Sequence, residues 1–127
     1  MKIRTTHNSI RYRLRKSEID TLKNEGIIEE SVSFPSGHDL KSLLYISDVI
    51  ASSEAIFDGN SIKVSLPTET ANEWINTNQV SIEQYLDLPN GDQLHILIEK
   101  DFPCLDRPNE DKSDTFWELA DKSADSC

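Results

Sequence analysis

The chain is poor in cysteine, glycine and proline, with two Cys, four Gly and five Pro in 127 residues. Both cysteines, Cys104 and Cys127, fall in the last quarter, too late to staple a fold, and no C-x-x-C or Cys/His cluster at zinc spacing occurs. A reducing compartment and a fold without structural zinc are expected. The low glycine and proline content excludes fibrous and low-complexity chains. No apolar run approaches the ~18 residues of a membrane span, and the opening Met1-Lys2-Ile3-Arg4-Thr5-Thr6 has no apolar signal region. A cytoplasmic protein with no membrane partner is the expectation.

Positive charge is scarce as well. Thirteen Lys and Arg stand against 23 Asp and Glu, a net charge of −10, which argues against general nucleic-acid binding. The few cations are concentrated: residues 1–16 hold six of them and no acid, while residues 101–127 hold eight acids and three cations. Recognisable catalytic motifs are missing too, with no H-E-x-x-H, G-x-S-x-G, P-loop or G-x-G-x-x-G. The three histidines, His7, His38 and His95, fall in no motif, and a Ser–His–acid relay is invisible at this level because its members meet only in space.

What the chain does have is a repeat. Ser9-Ile10-Arg11-Tyr12-Arg13-Leu14 matches Ser61-Ile62-Lys63-Val64-Ser65-Leu66 at an offset of 52, which also sets Ile28 on Val80, Glu30 on Ile82 and Phe34 on Leu86. After a two-residue gap an offset of 54 sets Gly37 on Gly91, Leu40 on Leu94 and Leu44 on Ile98. In the first unit Ile10, Tyr12 and Leu14 alternate with Arg11, Arg13 and Arg15, the period of a half-buried strand. Ser17, with Asp20 three residues on, reads as a helix N-cap, Ile19 and Leu22 as the inner stripe, and Gly26 as the terminator. Ile28–Phe34 and Leu40–Ile46 read as strands around the turn Pro35-Ser36-Gly37. The second unit repeats this grammar. Asp58-Gly59-Asn60 is its first turn, Thr68 or Thr70 caps a helix carrying Ala71, Trp74 and Ile75, and Pro89-Asn90-Gly91-Asp92 separates its last two strands. The expected fold is α+β: internally duplicated β-β-α-β-β units forming an eight-stranded antiparallel barrel or strongly twisted sheet, with two short helices. One domain is expected over 1–104, made of repeats at about 1–50 and 53–101. An acidic tail, partly disordered and with a short helix at 115–121, is expected over 105–127.

Three features could carry chemistry. The comb Arg11, Arg13, Arg15 sets guanidiniums ~7 Å apart on one strand face, able to grip phosphate or carboxylate by forked hydrogen bonds. Arg4 or Lys63 on neighbouring strands would extend it, and Lys100 would join from the last long strand. The same comb on a solvated face would pair with Glu29, Glu30 or Glu83. The second feature is Ile98-Glu99-Lys100-Asp101, where Glu99 and Asp101 share a side and would hold Mg²⁺ or Mn²⁺ or act as acid and base. The third, Cys104 beside Pro103, is a reactive thiol if a cation lowers its pKa and a small buried hydrophobe otherwise.

At Asn8-Ser9-Ile10-Arg11-Tyr12-Arg13-Leu14 and at Ile98-Glu99-Lys100-Asp101-Phe102-Pro103-Cys104-Leu105 the chain resembles a family of small bacterial proteins catalogued as a domain of unknown function. Its duplicated architecture also resembles the triphosphate tunnel enzymes, or CYTH barrels, in which inward Arg and Lys bind triphosphate and inward carboxylates bind metal. That resemblance would place Arg11, Arg13, Lys63, Glu99 and Lys100 in a lumen. The E-x-E-x-K signature of those enzymes is replaced here by Lys2-Ile3-Arg4-Thr5-Thr6. Two functions are therefore expected. One is a non-enzymatic module, either monomer or homodimer, whose arginine face or aromatic-bearing tail meets an anionic small molecule or a partner protein, with no cofactor. The alternative is a Mg- or Mn-dependent phosphohydrolase using Glu99 and Asp101. The direction of the comb, to a lumen or to solvent, decides between them.

Overall fold

The computed structural model describes residues 1–101. The tail proposed for 105–127, its helix at 115–121 and Cys104 lie outside the described residues. Eight strands and two helices follow in the order β1 (Lys2–Thr6), β2 (Ser9–Leu14), α1 (Lys16–Glu25), β3 (Ile27–Ser33), β4 (Asp39–Ser47), β5 (Glu54–Asp58), β6 (Ser61–Pro67), α2 (Thr68–Asn76), β7 (Ser81–Asp87) and β8 (Gln93–Lys100). Strand–strand–helix–strand–strand thus occurs twice.

The strands divide into two four-stranded sheets, β1-β2-β8-β7 and β3-β4-β6-β5. No barrel closes among the described residues, so the expected single eight-stranded barrel is corrected to two sheets. The expectation of wholly antiparallel pairing also needs correction. Each hairpin is antiparallel, but the central pairs β2–β8 and β4–β6 are parallel. The reason is the exchange of hairpins between the halves. A helix carries the chain out of one sheet and into the other, so each sheet is assembled from one hairpin of each half. Hairpin signals encode only the local pairing, and the pairing between hairpins leaves no mark in a turn.

Local chemistry explains the elements. The alternation in β2 buries Tyr12 and Leu14 completely and leaves Arg11 and Arg13 on the opposite face. Strand β8 does the same with Ile96 and Ile98 inward. The N-cap of helix α1 is Arg15, two residues before the expected Ser17. The Arg15 carbonyl accepts from the N–H groups of Glu18 and Ile19 at 2.9 and 3.0 Å. The Glu18 carboxylate in turn accepts from the Arg15 N–H at 2.8 Å. An acid three residues into the helix therefore does the capping that Ser17 was expected to do. The helix stops at Gly26, whose φ of 79° is left-handed and whose N–H donates to the Leu22 carbonyl at 2.8 Å.

One core joins both sheets and both helices. Tyr12, Leu14, Ile82, Ile96 and Ile98 from the first sheet meet Leu44, Val64 and Leu66 from the second, with Leu22, Ala71 and Trp74 from the helices. Trp74 is fully buried and its indole N–H donates to the Val80 carbonyl at 2.9 Å, so its polar edge is satisfied. Tyr12 is less well served. Its hydroxyl is buried beside Ser42 yet makes no hydrogen bond of normal geometry. Burial pushes its pKa upward, against a smaller opposing effect of Ser42.

The strand registers refine the repeat. Adding 52 to a position in β1, β2 or α1, or 54 to one in β3 or β4, gives its counterpart. Lys2↔Arg13 matches Glu54↔Ser65, and Ile28↔Leu44 matches Ile82↔Ile98. The change of offset therefore falls directly after the helices, and the expected pairs Ile28–Val80, Glu30–Ile82 and Phe34–Leu86 are two residues out of step. The cause lies between helix and strand: Gly26 alone follows α1 but residues 77–80 follow α2, and α2 is one residue shorter, a net gain of two.

Candidate functional site

Three strands of the first sheet build the site. With Tyr12, Leu14, Ile96 and Ile98 turned to the core, the outer face shows Lys2, Arg4 and Thr6 on β1, Ser9, Arg11 and Arg13 on β2, and His95, Leu97 and Glu99 on β8. Register places Arg4 opposite Arg11 and Lys2 opposite Arg13. The four cations and Ile3 line a cavity of about 230 Å³. Glu99 stands against the comb. Its Oε1 lies 3.2 Å from Arg13 Nε, which donates a hydrogen bond, and 3.4 Å from Arg11 Nε. Lys2 Nζ lies 3.2 Å from Asp101 Oδ2.

Charge does not balance in this groove. Four cations meet two carboxylates, and Arg4 makes no ion pair among the described residues. Two guanidiniums offer ten N–H donors between them, far more than one carboxylate can take. The side chains of Arg11 and Arg13 are about one-third exposed, at 32% and 34%, so their heads stay in reach of a ligand while their stems cover the sheet.

The structure separates residues that had been grouped together. Arg15 leaves the comb to cap α1, and its side chain turns to Glu18 at 3.6 Å. Lys63 lies on the outer face of the other sheet, 3.2 Å from Asp58. Lys100 has the opposite parity from Glu99. Its Nζ donates to the Thr77 carbonyl at 2.7 Å and lies 5.9 Å from the Trp74 ring centroid. None of these three reaches the groove. Of the acids expected beside the comb, Glu29 and Glu30 belong to β3 in the other sheet and Glu83 turns to His95. Glu99 takes their place because β2 and β8 pair in parallel, Arg13 opposite Glu99.

The Mg- or Mn-binding role considered for Glu99 and Asp101 meets a local obstacle: each carboxylate is already beside a cationic side chain. Among the described residues no three His, Cys, Asp or Glu side chains gather as a metal site. The lumen implied by the tunnel-enzyme resemblance is also missing from the described residues, since the comb faces away from the core.

A second cluster on the same face went unnoticed in the sequence. His95 Nε2 donates to Glu83 Oε2 at 2.7 Å, the Tyr85 hydroxyl donates to the same oxygen at 3.2 Å, and the Tyr85 and His95 rings stack with centroids 4.7 Å apart. A carboxylate only accepts, so the proton sits on Nε2 and Nδ1 faces Ser9 Oγ at 3.5 Å. The Glu83 charge holds the Tyr85 hydroxyl above its ordinary pKa. Ser9–His95–Glu83 has the order of a hydrolytic relay, but none of the three lines the cavity. The alternation of residues 81–87 could have put Glu83 and Tyr85 on one face; only the register brings His95 to them.

These observations define a two-sheet α+β domain with a cationic groove on the outer face of one sheet. No helix among the described residues is long and apolar enough to cross a membrane. The chain belongs to the family of unknown function DUF7009, whose profile matches residues 1–119. No curated protein and no solved structure matches it.

Proposed function

We propose that the protein is a binding module whose groove, formed by Lys2, Arg4, Arg11 and Arg13, takes an anionic ligand. The supporting observation is an excess of positive charge confined to one groove in a chain of net charge −10. Holding like charges together costs energy in a fold that has acids to spare, and an arriving anion relieves that repulsion. The cavity, about 230 Å³, is smaller than the ~300–1,000 Å³ usual for drug-sized ligands. Its ligand is accordingly a small polyanion, such as a di- or triphosphate or a dicarboxylate, or the charged end of something larger. Arginine forks recognise both groups.

Thermal melts in pyrophosphate, tripolyphosphate and citrate test this reading. Ligand at about 100 times its Kd stabilises the fold by about 2.7 kcal/mol. The shift disappears in Arg11→Ala/Arg13→Ala and persists in Lys63→Ala. A shift that survives the double substitution, or no shift with any of these anions, removes the proposal.

A further inference from the structure

The groove has a second anion within reach, and it belongs to the same chain. Strand β8 ends at Lys100, and the Asp101 N–H donates to the Leu14 carbonyl at 2.8 Å, holding the exit point against the end of β2. The Asp101 carboxylate is already 3.2 Å from Lys2, one of the groove's four cations. The remaining sequence, residues 102–127, carries seven acids and three cations, with Asp106, Glu110, Asp111 and Asp114 among its first thirteen residues. From Asp101 the tether is five residues to Asp106 and thirteen to Asp114, spans of up to about 17 and about 44 Å, and neighbouring comb positions are only ~7 Å apart. Every one of those acids can therefore reach Arg4, Arg11 and Arg13.

We infer that the segment Asp106–Asp114 is an internal ligand of the groove, which an external anion must displace. The inference rests on the anion-binding reading of that site and adds its regulation. Tethering converts a weak surface attraction into an intramolecular one at millimolar effective concentration. Charge complementarity selects the occupant: the segment is acidic where the groove is basic, and the last described residue before it, Asp101, stands beside the groove's Lys2. Binding of an external anion would then free the segment, giving the ligand a signal visible outside the groove.

The test uses the full-length chain and a variant carrying Asp106→Asn, Glu110→Gln, Asp111→Asn and Asp114→Asn. Amide NMR spectra at low salt compare the two, and calorimetry measures tripolyphosphate binding to each. Neutralising the segment should shift amides of β1, β2 and β8 while leaving the second sheet untouched, and should tighten tripolyphosphate binding by about five-fold, the small end of intramolecular coupling. Superimposable strand spectra with equal affinities would overturn the internal ligand and leave the anion site standing. Shifted strand spectra without tripolyphosphate binding to either protein would support the internal contact and overturn the external ligand. Superimposable spectra without binding would overturn both.

Discussion

The two sheets share one plan and differ on one face. Their inner faces are apolar and interlock in a common core. Their outer faces, compared position by position, have diverged. Arg4, Arg11, Leu97 and Glu83 in the first sheet stand where Ile56, Lys63, Leu43 and Glu29 stand in the second. One row along, Lys2, Arg13, Glu99 and Ser81 correspond to Glu54, Ser65, Tyr45 and Ile27. The same skeleton thus presents a cationic groove on one side and Ile27, Tyr45 and a half-exposed Ile56 on the other. Packing constrains the inner face of a strand, and solvent leaves the outer face free to take up binding.

The comparison can be broken most forcefully at the core. Leu22 and Trp74 occupy matching helix positions and both are fully buried. Trp74→Ala should cost about 4 kcal/mol and Leu22→Ala about 3 kcal/mol, each in a single urea transition seen by circular dichroism. Two separate transitions would show that the sheets do not share their stability.

A smaller effect separates the two helices. Glu18, at the third position of α1, corresponds to Thr70 in α2. Burial acts to raise the Glu18 pKa, but the Arg15 N–H, the amino group of Met1 and the Arg15 charge outweigh it and leave the carboxyl lowered. A lowered carboxyl stabilises the fold at neutral pH, and that contribution is lost as pH falls through its folded-state pKa. Glu18→Gln should therefore cost about 1.5 kcal/mol at pH 7, and its difference from wild type should vanish in acid. Thr70→Ala should show no such pH dependence.

Smaller again is Tyr12→Phe, at the position matched by Val64. Removing a buried hydroxyl that lacks a good partner should change stability by less than about 1 kcal/mol, in the stabilising direction. A large loss in chemical denaturation would mean that Tyr12 and Ser42 do form a bond worth keeping. Least costly to the fold are Arg11→Ala and Arg13→Ala, below about 1 kcal/mol each because their pairs with Glu99 are partly solvated. Together they should abolish the proposed anion binding all the same, read as loss of the tripolyphosphate melting shift. Lys63→Ala, the matching change in the second sheet, should leave both stability and binding as they were.

The sequence revealed what depends on neighbours along the chain. The alternation of residues 10–14 put Tyr12 and Leu14 inside and the arginines outside, and Gly26 and Gly59 marked a helix end and a turn. What it hid depends on pairing across the chain. Lys63 looked like a neighbour of the comb because it repeats Arg11, but exchange of hairpins carries the repeat to a different sheet. Glu99 and Arg13 meet across 86 positions, and nothing in either strand's own pattern announces that register. Arg15 continued the comb's alternation on paper, while the strand ended one residue before it.

The exchanged hairpins also set an order of assembly during synthesis. Every strand of the second sheet lies between residues 27 and 67, whereas the first sheet needs both residue 2 and residue 100. As the chain emerges from the ribosome, one sheet is complete while the other is a lone hairpin, a structure of marginal stability in water. The opening +6 segment spends that interval without Glu99 beside it. A chain released with its end between residues 67 and 93 would therefore hold every strand of the second sheet but lack β8, a central strand of the first, and the apolar inner surface would be left uncovered.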